Sequence, residues 1–134
     1  MVRKAEFNNE TFILSTIELI ALGGPTAATM AAIAENAGAP TGSIYHRFKS
    51  RTVLLATAWL HALSAMTDEV LPYLHQGESH DAIMALIKWA ETNPAMARLI
   101  MLYAENDLIE GELPDALYES LNAQNHKLGM GLSA

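Results

Sequence analysis

Two runs of helix-forming residues, one from Met30 to Ala37 and one from about Pro40-Thr41 to Phe48, meet across Gly38-Ala39. Each is only about two turns long, and isolated helices shorter than roughly 12–15 residues are marginal in water. Such a pair keeps its shape only when both members lie against a larger apolar surface, so the pattern requires other helices around it. Local signals agree with the spacing. Thr29 is suited to cap the first run, because its hydroxyl can accept a hydrogen bond from an amide of the first turn. Met30, Ile33, Ala34 and Ala37 stand at i, i+3, i+4 and i+7, which makes one apolar face. Gly38 tolerates the positive φ that commonly ends a helix. Proline is accepted at a helix start, and Ile44 and Phe48 then turn inward.

The rest of the chain reads as helix too. Ala, Leu, Met and Ile dominate, no strand-like alternation stands out, and Gly and Pro fall where helices should stop. A first helix is expected from about Glu6 to Leu22, with Ile13, Ile17 and Ile20 as its stripe and Phe12 and Leu19 widening it. A long helix should cover about Arg51 to Leu74, burying Leu54, Leu55, Ala58, Leu63, Met66 and Val70, with Pro72 kinking or closing it. Further helices are expected from about His80 to Thr92, from Asn93-Pro94 to about Glu105 with Asn93 as N-cap, and from Pro114 to about Gly129. Asn106 to Leu113 reads as an acidic loop. The fold class is all-α.

Hydrophobic residues at 51% and charged residues at 17% supply a core and argue against disorder. There is no cysteine, so disulfides, zinc–thiolate sites and cysteine nucleophiles are excluded. No apolar run approaches the roughly 18 residues of a membrane span, and the polar start is unlike a signal peptide. A soluble cytoplasmic protein without membrane contact is expected. No Ser-His-acid grouping or glycine-rich phosphate loop stands out, so neither an enzyme nor a cofactor is expected. His75, Glu78, His80 and Asp81 cluster around one loop, where polar residues are ordinary, and no metal is expected there.

The net charge of −7 is unevenly spread. Residues 1–53 carry five basic and four acidic side chains, whereas residues 54–134 carry three and eleven. Three of those five positive charges lie in Arg47, Lys49 and Arg51. Arg3 and Lys4 read as a solvated terminus.

Two short helices joined by a tight turn are the geometry of a helix-turn-helix, in which the second helix enters the DNA major groove with its first residues at base edges. Small or hydrogen-bonding residues are needed there, since bulk would hold the backbone off the DNA. Thr41, Gly42 and Ser43 meet that need. Tyr45 and His46 follow one turn on with donors suited to phosphate, and Lys49 and Arg51 are charges near the DNA backbone.

The stretch from Ala27 to Leu55 resembles the DNA-binding signature of the TetR family of transcriptional regulators. The matching residues are Thr29, Ile33-Ala34, Ala37-Gly38, Gly42-Ser43-Ile44-Tyr45-His46, Phe48 and Arg51. The resemblance implies a three-helix head over residues 1–52 and a helical ligand-binding and dimerisation body over 53–134. It further implies a homodimeric repressor that reads a palindromic double-stranded operator and lets go when a small molecule binds the body. Thr29 joins Thr41, Gly42, Ser43, Tyr45, His46, Lys49 and Arg51 in the expected DNA-binding set. Two departures stand out. Pro40 occupies the place of a serine that caps the recognition helix in many members. The chain also ends at Ala134, so the C-terminal helices of the family are expected to be missing from it or shortened. In the body, Trp59, Met66, Trp89, Met101 and Tyr103 are candidates to line a pocket for an apolar, amphipathic or cationic effector, because methionine adapts to shape and aromatic faces attract cations. The competing reading is a helical ligand-binding or protein-interaction module that does not bind DNA, which the net acidity keeps open.

Overall fold

The computed structural model describes residues 8–133, and every regular element among them is helical. In chain order these are α1 (Asn9–Gly23), a single 3-10 turn (Pro25–Ala27), α2 (Met30–Ala37), α3 (Thr41–Arg47), α4 (Arg51–His75), α5 (Ser79–Thr92), α6 (Pro94–Leu102), α7 (Glu105–Leu108) and α8 (Asp115–Ser133). The expected start near Glu6, and Arg3 and Lys4 before it, lie outside the described residues.

Helix α1 begins at Asn9 because the Asn8 carboxamide oxygen accepts from the Thr11 amide at 3.0 Å. Phe12, Ile13, Ile17 and Ile20 are buried, as their stripe predicts, while Leu19 is only partly covered. Helix α1 packs on α2, α4 and α6, and α4 lies at the centre with α1, α5, α6, α7 and α8 against it. At about 1.5 Å per residue, the 25 residues of α4 extend roughly 37 Å. Pro72 sits inside α4 within its last turns rather than ending it.

One apolar cluster joins helices α1 to α4 with α6, α7 and α8. Phe12, Ile17, Ile20, Ile33 and Ile44 join Leu54, Leu55, Ala58 and Trp59 of α4, then Leu99, Leu108 and Leu121 beyond it. The boundary expected at residue 52 therefore falls within a shared core, at the junction where α4 starts.

Asn93 stands at the N-cap of α6 and Pro94 is its first residue, as expected, but no side-chain cap forms: the Asn93 side-chain amide donates back to the Trp89 carbonyl at 3.1 Å. Other boundaries of the second half differ from expectation. Helix α6 stops at Leu102 rather than near Glu105, and Tyr103 is extended at φ −125° and ψ 157°. The chain restarts as α7 inside what reads as an acidic loop, with the Asp107 carboxylate accepting from the Ala104 amide at 2.8 Å. The last helix also runs four residues beyond Gly129, to Ser133. No helix among the described residues is long and apolar enough to cross a membrane.

Candidate nucleic-acid interface

The turn between α2 and α3 is built by local hydrogen bonds. The Thr29 hydroxyl oxygen accepts from the Ala32 amide at 3.1 Å and starts α2. Gly38 ends it at φ 74° and ψ 24°, the left-handed conformation that a Cβ would penalise. A buried polar contact then fixes α2 against α1. The Ser15 hydroxyl donates to the Ile33 carbonyl at 2.9 Å, and the Asn36 amide donates to Ser15 Oγ at 2.8 Å.

Helix α3 is held from beneath. Ile44 is wholly buried and Phe48 nearly so, which turns the opposite face outward. Thr41, Gly42, Tyr45 and His46 are all exposed. Thr41 and Tyr45, like Gly42 and His46, are four apart and so neighbours along the helix surface. A Cβ built at Gly42 would meet no atom of the described residues within 4 Å. The packing inside the protein therefore does not call for glycine there, and an approaching surface could.

No side chain caps α3, since Pro40 stands at its N-cap. The Pro40 carbonyl instead accepts from both the Ser43 amide, at 3.0 Å, and the Ser43 hydroxyl, at 2.7 Å. Ser43 is half-buried, and its hydroxyl proton is already engaged. What Ser43 can still offer outward is an acceptor.

The basic residues after α3 divide. Lys49 is exposed, and no hydrogen bond or ion pair involving its ammonium is found among the described residues. Arg51 faces the other way. Its Nε donates to the Ala28 carbonyl at 2.7 Å and its Nη2 to the Pro25 carbonyl. The guanidinium thus ties the start of α4 to the connector before α2, a structural task beside the phosphate contact expected of it. The physical reason is that the 3-10 turn leaves carbonyls pointing at α4, and a planar fork satisfies two at once. Arg47 is outside the expected set, yet it is exposed in the last turn of α3. The clustering of positive charge at 47–51 is the signal that points to it.

The candidate body residues lie in different surroundings. Trp59 is buried in the central cluster and Tyr103 packs on that cluster. Met101 is 78% exposed. Met66 is half-buried on α4. Trp89 borders a cleft of about 330 Å³ between α4 and α5, which Glu69, Tyr73 and Lys88 also line. Among the described residues the buried Trp59 indole N–H has no hydrogen-bond partner, and neither does the side-chain N–H of Gln124. These two lie on α4 and α8, which pack together. Among the described residues no three of His, Asp and Glu come together as a metal site, the His75–Asp81 loop included.

Residues 13–58 match the family model of bacterial regulatory proteins of the tetR family. The match covers the head and the first turns of α4. A crystal structure from Shewanella sp. PV-4, assigned to the tetR family of transcription regulators, superposes with a TM-score of 0.69 over 96% of this chain and 71% of that one, at 20% sequence identity. At that identity the likeness is one of fold. No curated protein matches the chain.

Proposed function

We propose that this chain, whose head is a tetR-family helix-turn-helix and whose fold is that of a tetR regulator, is a transcriptional repressor released from its operator by a small molecule. The observation that carries this reading is the outward face of α3. Thr41, Gly42, Tyr45 and His46 are presented together while Ile44 and Phe48 anchor the helix in the core. A short helix held rigidly by one face, with small residues in its first turn, suits entry into a major groove. Lys49, and Arg47 with it, then supply charge for phosphates flanking the bases read, contacts that position without specifying sequence.

A homodimer would place two such heads on successive major grooves, so the operator is expected to be a palindrome with half-sites about one helical turn, roughly 34–36 Å, apart. The effector would bind in the body. Support comes from the buried Trp59 indole N–H on α4 and the Gln124 side-chain N–H on α8, two donors that find no acceptor among the described residues. A buried polar group left unpaired is costly, and a ligand presenting a hydrogen-bond acceptor would satisfy it. Helix α4 carries Trp59 and reaches the head directly, so a ligand that shifts α4 would move the connector before α2 through Arg51, and α2 and α3 through the shared core. Release requires the effector to prefer the DNA-incompetent arrangement, because equal affinity for both shifts nothing.

The test is selection from a random duplex library with the full chain, followed by footprinting of the enriched sequences. Enrichment of a two-fold symmetric site supports the reading. Uniform, weak retention of all sequences would replace it with the interaction module that leaves DNA alone.

A further inference from the structure

We infer that the cleft between α1 and α6 is a binding site for a small zwitterion with an apolar part, of the kind an aliphatic amino acid represents. Glu18, Ala21 and Leu22 line it from α1, and Pro94, Ala95 and Arg98 from α6, around a volume of about 550 Å³. That is within the range of small-molecule sites, roughly 300–1,000 Å³.

The charges at this cleft are what distinguish it. An acid and a base border the same space without pairing, for among the described residues the one ion pair joins Lys127 to Asp68. Each is instead oriented by a neutral neighbour. The Arg98 Nε donates to the Ala21 carbonyl at 2.6 Å. That bond fixes the plane of the guanidinium and leaves its Nη groups for an acceptor. The Asn36 amide donates to Glu18 Oε2 at 3.2 Å, so the second carboxylate oxygen remains available. A carboxylate matches the arginine fork in shape and charge, and an ammonium group matches Glu18. Ala21, Leu22, Pro94 and Ala95 supply the apolar part of the same lining. Leu22 is 87% exposed, so a hydrocarbon portion resting on it would remove apolar surface from water. A ligand with one charge would satisfy one end and leave the charge at the other without a counterpart. An occupant with both charges would bridge a head helix and a body helix.

The experiment is calorimetric titration of the full chain with leucine, 6-aminohexanoate, hexanoate and hexylamine, with no DNA present. Glu18 and Arg98 are both exposed, so at least one of the two zwitterions should bind roughly threefold or more tighter than both singly charged probes, the scale of a solvent-exposed ion pair. Arg98→Ala should weaken that zwitterion by a similar factor, with Arg98→Lys recovering part of it. Glu18→Gln should weaken the zwitterion while leaving hexanoate as tight or tighter. A thermal melt of each variant separates impaired binding from an impaired fold. The inference is overturned if neither zwitterion outbinds hexanoate, or if Arg98→Ala melts like the parent and binds the zwitterion as tightly. Since no operator is involved, its failure would leave the DNA-binding reading standing, and the reverse holds too.

Discussion

Lys49 and Arg51 stand two residues apart and act on opposite sides of the chain, one turned to solvent and one spent on the carbonyls of Pro25 and Ala28. Removing Arg51 leaves two partly buried acceptors without a charged donor. Arg51→Ala should therefore lower the free energy of unfolding by about 2–3 kcal/mol, read from urea denaturation. Lysine at that position should recover only a fraction, since a point charge cannot serve both carbonyls in fixed geometry. Gly42 is the opposite case. With open space around its Cβ position, Gly42→Leu should melt at the same temperature or higher, because leucine is the better helix former by somewhat under 1 kcal/mol. The same variant should lose specific operator binding in a gel shift, where the added bulk would stand between α3 and the bases. If Gly42→Leu binds the operator like the parent, Gly42 is not at the interface.

At the scale of elements, α2 and α3 behave as a pair because each lacks what the other supplies. Helix α2 has a side-chain cap and a left-handed glycine stop. Helix α3 has neither a side-chain cap nor a glycine stop and is held by Ile44 and Phe48. A helix fixed by its buried face alone keeps its outer face unencumbered, which suits contact with another surface. Just past its end, Lys49 is expected to meet phosphate. Lys49→Ala should weaken operator and random duplexes by similar factors, and the slope of log K against log salt should fall by about 0.9 for each phosphate no longer neutralised. One such phosphate per subunit in a symmetric dimer doubles that change. An unaltered slope would assign the phosphates to other side chains, with Arg47 the next residue to test.

For the molecule as a whole, the helices before α4 and those after it share one interior. Leu54, Leu55 and Ala58 have no exposed surface and close the core beneath Ile33 and Ile44. A fragment of residues 1–52 lacks all three. It should show little helical circular dichroism and no cooperative melt, whereas the full chain should show both. A cooperatively folded 1–52 fragment would mean that the head is closed without α4. The shared core also bears on the acidity of the body. Eleven of the fifteen acidic residues lie after residue 53. Acidic surface at that end would repel DNA, which favours docking by the head alone.

What the sequence determined by itself was everything that depends on spacing along the chain. The stripe Phe12, Ile13, Ile17 and Ile20, the cap at Thr29, the stop at Gly38 and the inward turn of Ile44 and Phe48 were all legible, because helical periodicity and capping act within a few residues. So was the outward set Thr41, Gly42, Tyr45 and His46, which is the complement of that buried face. Contacts between distant segments decided the rest. Arg51 follows a basic cluster and reads as a surface charge; only the fold brings the Pro25 and Ala28 carbonyls, more than twenty residues earlier, within reach of its guanidinium. Helix α6 reads as continuous to Glu105, yet it breaks at Tyr103, whose hydroxyl lies 3.4 Å from where a Cβ on Gly24 would stand. Propensity is worth tenths of a kcal/mol per residue, and the burial of one aromatic ring outweighs it. The cleft that sets Glu18 opposite Arg98 is of the same kind, since residues eighty positions apart share it only because α6 folds back onto α1.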